Sequence, residues 1–176
     1  MPRLLRSLAA LLALLLGACA LPSLDAARQA RLASLLPADA LLLGEQHDAP
    51  EHQQLQRQVV QWLADRGQLA AVVLEMAEAG HGTAGLPPDA SARQVRAALA
   101  WDDARWPWRT YGPVIMAAVA AGAPVLGANL SLARMRGAMR EPALDARLPP
   151  ELLAVQRQRI RDSHCGLLPE PRIDPM

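Results

Sequence analysis

Between Leu41 and His52 the chain reads LLLGEQHDAPEH, an apolar run that stops at Gly44 and is followed at once by Glu45, His47, Asp48, Glu51 and His52. Carboxylates and imidazoles packed this densely can bind a divalent cation or act as acid and base. The chain offers few other places for chemistry. Its 176 residues include four histidines, one tyrosine, and neither lysine nor phenylalanine.

Other polar residues stand at comparable positions. Glu75 lies in the apolar run 70–76, AAVVLEM, with His81 in the loop beyond. Asn129 follows PVLGA at 124–128, and Arg134 falls one turn into the next helical stretch. If the apolar runs are parallel strands, their C-terminal ends share one edge and these side chains converge there. Neither HExxH nor CxxC occurs, so spacing leaves two readings open. One is a metal or acid–base centre on Glu45, His47 and Glu75. In the other, the acids only cap helices or pair with arginines.

The aromatic residues are equally concentrated. Trp101, Trp106, Trp108 and Tyr111 fall within eleven positions, whereas Trp62 sits alone on an amphipathic helix. Such a cluster makes either a flat apolar wall for a planar ligand or a small satellite core. Tyr111 is the one phenol, and tyrosinate is an axial ligand of ferric haem in some proteins.

Three apolar runs, 40–44, 70–76 and 124–128, read as strands. Helices are expected over 25–36, 50–66, 92–100, from Tyr111 or Gly112 to 121, and over 130–140 and 150–162. Pro50 suits a first helical position, Gly67 a C-cap and Ser91 an N-cap. In the second helix Leu55, Val59, Trp62 and Leu63 form one stripe. Strands that are continuous apolar runs, alternating with helices, predict an α/β fold with a mostly parallel sheet flanked by helices on both faces.

The first residues read as an export signal. Arg3 and Arg6 precede the short apolar stretch Leu8–Leu16, and Leu-Gly-Ala-Cys ends at Cys19. That length suits a signal peptide better than a membrane span. The ending resembles a bacterial lipobox, which implies a signal over 1–18, lipidation of Cys19 and a Gram-negative outer-membrane lipoprotein, facing the periplasm or the cell surface. Removing 1–18 takes away Arg3 and Arg6 and no acid, which turns the net charge from +1 to −1. Cys165 then has no internal disulfide partner but Cys19, the lipidated residue. No basic stripe stands out, so nucleic acid is not an expected partner.

Taken together, LLLGEQHDAPEHQQLQ at 41–56, VVLEM at 72–76, W-D at 101–102, WPWRTYGPVIMAAVAAGAPVLGANL at 106–130 and RDSHCGLLPE at 161–170 resemble the ChaN-like haem-binding lipoproteins of the Tiki/TraB-type superfamily. The resemblance implies an α/β domain over 19–176 that binds haem between two subunits in iron acquisition. It places Gly44, Glu45 and His47 in a G-x-x-H signature, Glu75 at a strand-end acid, and Asn129 with Arg134 in an Asn-plus-Arg segment. By the same resemblance, haem contacts fall on Tyr111, His47, Trp106, Trp108 and His164, with Tyr111 the expected iron ligand. The family pattern continues well past the segment matching HCGLLPE, so the domain is expected to be incomplete at its C-terminus, with an exposed edge and marginal stability. The alternatives are a metal-dependent hydrolase of the Tiki type, with Glu45, His47 and Glu75 as metal and catalytic residues, or a non-functional truncated product.

Overall fold

The computed structural model describes residues 23–173; the segment 1–18 expected to be a signal peptide and Cys19 lie outside them. Two strands pair in parallel, β1 (Val72–Glu78) and β2 (Val125–Asn129). Val72 aligns with Val125, Val73 with Leu126 and Leu74 with Gly127, and the register then slips before Glu78 meets Asn129. The slip occurs at Gly127, where a Cβ would collide with the Glu78 carbonyl. Only glycine lets the two backbones approach so closely.

The expected parallel pairing and the alternation of strand and helix are both present. The strand expected over 40–44 is not. Residues 41–46 form no strand, and Leu42 is 92% exposed. A strand needs a ladder partner, and β2's free edge is taken instead by the loop after β1. There Thr83 donates its N–H to the Val125 carbonyl at 2.8 Å and accepts the Val125 N–H on its hydroxyl at 2.8 Å. Gly127 N–H donates to the His81 carbonyl.

Helix α1 (Ala26–Ala33) is capped by Asp25. Helix α2 (Pro50–Ala64) starts on Pro50, and Gly67, at φ 64°, turns the chain after it. Val59, Trp62 and Leu63 join Leu24 in a small cluster, while Val60 faces the main core. Leu55, expected on the same stripe, lies at the surface. Helix α3 (Ala92–Ala98) carries the expected Ser91 cap as a full capping box with Gln94.

Helix α4 (Trp108–Ala120) begins one turn earlier than expected and carries Pro113 inside it. It is the centre of the molecule. Tyr111, Val114, Ile115, Ala118 and Val119 are buried on it and pack with Val60 of α2, Leu74 of β1, Val95 of α3 and Val125 of β2. Each such side chain contributes about 1.5–3 kcal/mol on burial. Among the described residues helices cover one sheet face; on the other, Val73 and Leu126 are 61% and 38% exposed, so the cover expected on both faces is not seen there.

Helix α5 (Leu132–Ala138), a 3-10 turn (Pro142–Arg147) and α6 (Pro150–Ser163) bury no residue. The short α7 (Glu170–Ile173) buries Ile173.

Candidate functional site

The segment between Leu41 and α2 is held by α2 itself. His52 accepts the Gln46 N–H on Nδ1 at 2.9 Å, and Gln53 donates its side-chain amide to the Gln46 carbonyl at 3.4 Å. Because both polar groups of Gln46 are engaged, its neighbours Glu45 and His47 are fixed in direction. Glu45 points inward, its side chain 6% exposed, and His47 points outward, its side chain 48% exposed.

The two side chains meet. His47 Nδ1 lies 2.7 Å from Glu45 Oε1. The same oxygen accepts the Tyr111 hydroxyl at 3.0 Å, and that hydroxyl is 3.5 Å from His47 Nδ1. Glu45 Oε2 is buried with no partner among the described residues. A carboxylate at Nδ1 favours the tautomer with the proton on that nitrogen, which leaves the lone pair on Nε2 and fixes the direction of the ring. Tyr111 is 2% exposed. Burial, then its hydrogen bond to Glu45, then the charges of Glu45 and Glu75 push its phenol well above the ordinary tyrosine range. Its proton therefore stays in place at any physiological pH.

The aromatic loop completes one side. Trp106 meets His47 edge-on at 4.9 Å and Tyr111 at 5.8 Å, and Trp101 lies 6.0 Å from Tyr111 and 5.4 Å from Trp108. Two aspartates that sequence reasoning left unassigned build this loop. Asp102 takes the N–H groups of Ala104 and Arg105 on its carboxylate and that of Trp106 on its carbonyl. Asp103 accepts the Trp108 N–H at 2.6 Å, at the start of α4, and pairs with Arg96 at 3.1 Å. Their available signal was weak, since both stand several residues before the first residue of α4. Gly112 admits the Trp108 indole, which a Cβ there would strike at 2.6 Å. Trp101 Nε1–H donates to the Trp106 carbonyl at 2.8 Å.

The structure thus brings together Glu45, His47, Tyr111 and Trp106, with Trp108 one ring further out. Glu75 acts on Tyr111 through its charge but is exposed on β1. Among the described residues no group of three or more His, Cys, Asp or Glu side chains is placed to hold a metal ion. The divalent-metal centre expected on Glu45, His47 and Glu75 is thus not seen among the described residues, where Glu45 and His47 face each other at 2.7 Å. Asn129 ends β2, its carbonyl accepting the Ala79 N–H. Arg134 is exposed on α5, and its side chain bonds to no described residue. Around Gly44 there is open space. His164 caps α6, its Nδ1 2.8 Å from the Ile160 carbonyl, and makes no bond or ring contact with the Glu45–His47 group among the described residues.

A family model described as haem-binding uptake, Tiki superfamily, ChaN, matches residues 31–170. A solved structure described as cofacial heme binding to ChaN of Campylobacter jejuni shares 25% sequence identity and superposes with a TM-score of 0.62, over 84% of this chain and 63% of that one. This chain thus spans under two thirds of that protein's length. No curated protein sequence matches it.

Proposed function

Because the chain belongs to the ChaN family of the Tiki superfamily, we propose that it binds haem, with His47 as the group that meets the iron. The observation that carries this is the Glu45–His47 pair, 2.7 Å apart, beside the edge of Trp106. It gives a half-exposed imidazole whose Nε2 is free and whose orientation is fixed by a buried carboxylate. The residues fit the group: haem brings an iron that accepts an imidazole nitrogen and a flat apolar macrocycle that suits indole surface. Glu45 sets the tautomer and the orientation of His47. Tyr111 holds Glu45 by hydrogen bond, and Trp106 and Trp108 supply the apolar wall. Tyr111, the iron ligand expected from family resemblance, fits the interior role better, since a tyrosinate would require losing a proton that burial and Glu45 both retain.

Soret titration tests the assignment. His47→Ala should weaken haem binding by about 100-fold or more, because it removes the iron ligand, where loss of a supporting partner alone costs about 10–100-fold. Tyr111→Phe should stay within about tenfold of the parent. The reverse order would return the ligand role to Tyr111, and no saturable Soret change in the folded parent would sink the haem reading.

We place this activity in iron or haem acquisition, on a lipoprotein anchored through Cys19 to the outer membrane and paired with a second copy across the haem. Incorporation of labelled palmitate in a Gram-negative host, abolished by Cys19→Ser, is the expected outcome for the anchor. A haem-dependent doubling of sedimenting mass is the expected outcome for the pair.

A further inference from the structure

Helices α2 and α4 pack through their apolar faces, but beside that contact they leave a cavity of about 570 Å³. Its wall carries Gln53 and Arg57 from α2 and Arg109, Thr110 and Pro113 from α4. The volume lies within the roughly 300–1,000 Å³ of small-molecule sites.

Within this mostly apolar wall two buried side-chain atoms stand without partners. Arg57 Nε is buried and bonded to no described residue. Arg109 likewise has no ion pair or hydrogen bond from its side chain among the described residues, so two guanidinium groups border the cavity without a described carboxylate to neutralise them. Gln53 is only 4% exposed; its amide N–H is spent on Gln46, and its Oε1 is buried without a partner. Buried polar atoms left unpaired cost about 1–3 kcal/mol each, and native proteins rarely keep several together unless something fills the space.

We propose that this cavity binds the carboxylate of a small organic molecule, with Arg57 and Arg109 as the charge partners and Gln53 Oε1 accepting from a hydroxyl, amine or water beside it. Guanidinium forks match a carboxylate in shape and charge. The cavity is too large for a bare inorganic anion to fill. Two sources share the chemistry: a free carboxylate, or the propionates of haem. Only the second rests on the haem reading. Gln53 links the two places, because its amide holds the Gln46 carbonyl between Glu45 and His47.

The full chain is titrated calorimetrically with L-malate, and separately by Soret absorbance with haem and with haem dimethyl ester. The substitutions are R57Q and R109E, with circular dichroism as the check on folding. Arg109 is exposed and bonded to no described residue, so R109E tests the site even if R57Q fails to fold. For a free carboxylate, malate should saturate, with at least tenfold loss in R109E. For propionates, esterification and R109E should each weaken haem binding at least tenfold. If malate gives no saturable heat and haem binds equally as the ester and to R109E, the proposal falls. Malate binding that R109E weakens, in a chain that takes no haem, would defeat the haem reading and support this site.

Discussion

Residues 60–129 and residues 130–167 both carry many large apolar side chains but bury them very differently. In the first region Val95, Leu99, Ile115 and Val125 are almost wholly buried, and Tyr111 reaches 66 positions back along the chain to Glu45. In the second, α5, the 3-10 turn and α6 bury nothing, and Leu152, Val155 and Leu167 are 51%, 46% and 87% exposed. Bonds there are short-range, such as Arg157 to Asp145 at 3.0 Å and Arg161 to Glu170 at 2.9 Å. Pairs this exposed contribute about 0–1 kcal/mol each. The difference shows that an apolar residue stabilises only where another element covers it.

The sharpest way to break the contrast is Ile115→Ala. Ile115 is 0% exposed at the centre of α4, so urea denaturation should show a loss of about 2–5 kcal/mol. A loss under 1 kcal/mol would mean that α4 is not the core of the fold.

Next in size is Tyr111→Phe, which should cost about 1–3 kcal/mol, because Glu45 loses a buried donor. The same phenol gives a pH signature. Its folded pKa lies above the ordinary value of about 10, so the folded state holds the proton more tightly than the unfolded chain. Its contribution to stability is complete below about pH 10 and is lost as pH rises beyond it. Absorbance near 295 nm should show no phenolate below that pH, and alkaline phenolate should appear together with unfolding. Phenolate formed by a still-folded chain near pH 10 would contradict the buried hydrogen bond.

The smallest effect is expected in the second region. Leu152→Ser should change stability by no more than about 0.5 kcal/mol, the range for surface substitutions. A loss comparable with that of Ile115→Ala would mean that another surface covers α6 in solution.

Local chemistry made much of the molecule legible. The Pro50 start, the Gly67 turn and the Ser91 cap depend on a few adjacent residues, and all appear as expected. The parallel pairing of 72–74 with 125–127 followed from two continuous apolar runs. The run 40–44 misled because hydrophobicity indicates that a segment favours burial, not that a ladder partner is present. The early start of α4 was missed because the acceptor of its first N–H, Asp103, lies five residues earlier in an irregular loop.

The sequence by itself narrowed the candidates for chemistry, since Glu45, His47 and Tyr111 come from a chain with few alternatives. It determined several helix ends, at Pro50, Gly67 and Ser91, because caps and glycine turns are local. Only tertiary structure decided the roles. Packing α4 against α2 buries Tyr111, turns it toward Glu45 and makes it a hydrogen-bond donor. Pinning Gln46 by His52 and Gln53 turns His47 outward with Nε2 free. Which atom keeps its proton and which faces a ligand depends on dielectric and direction, and both arise only when distant segments meet.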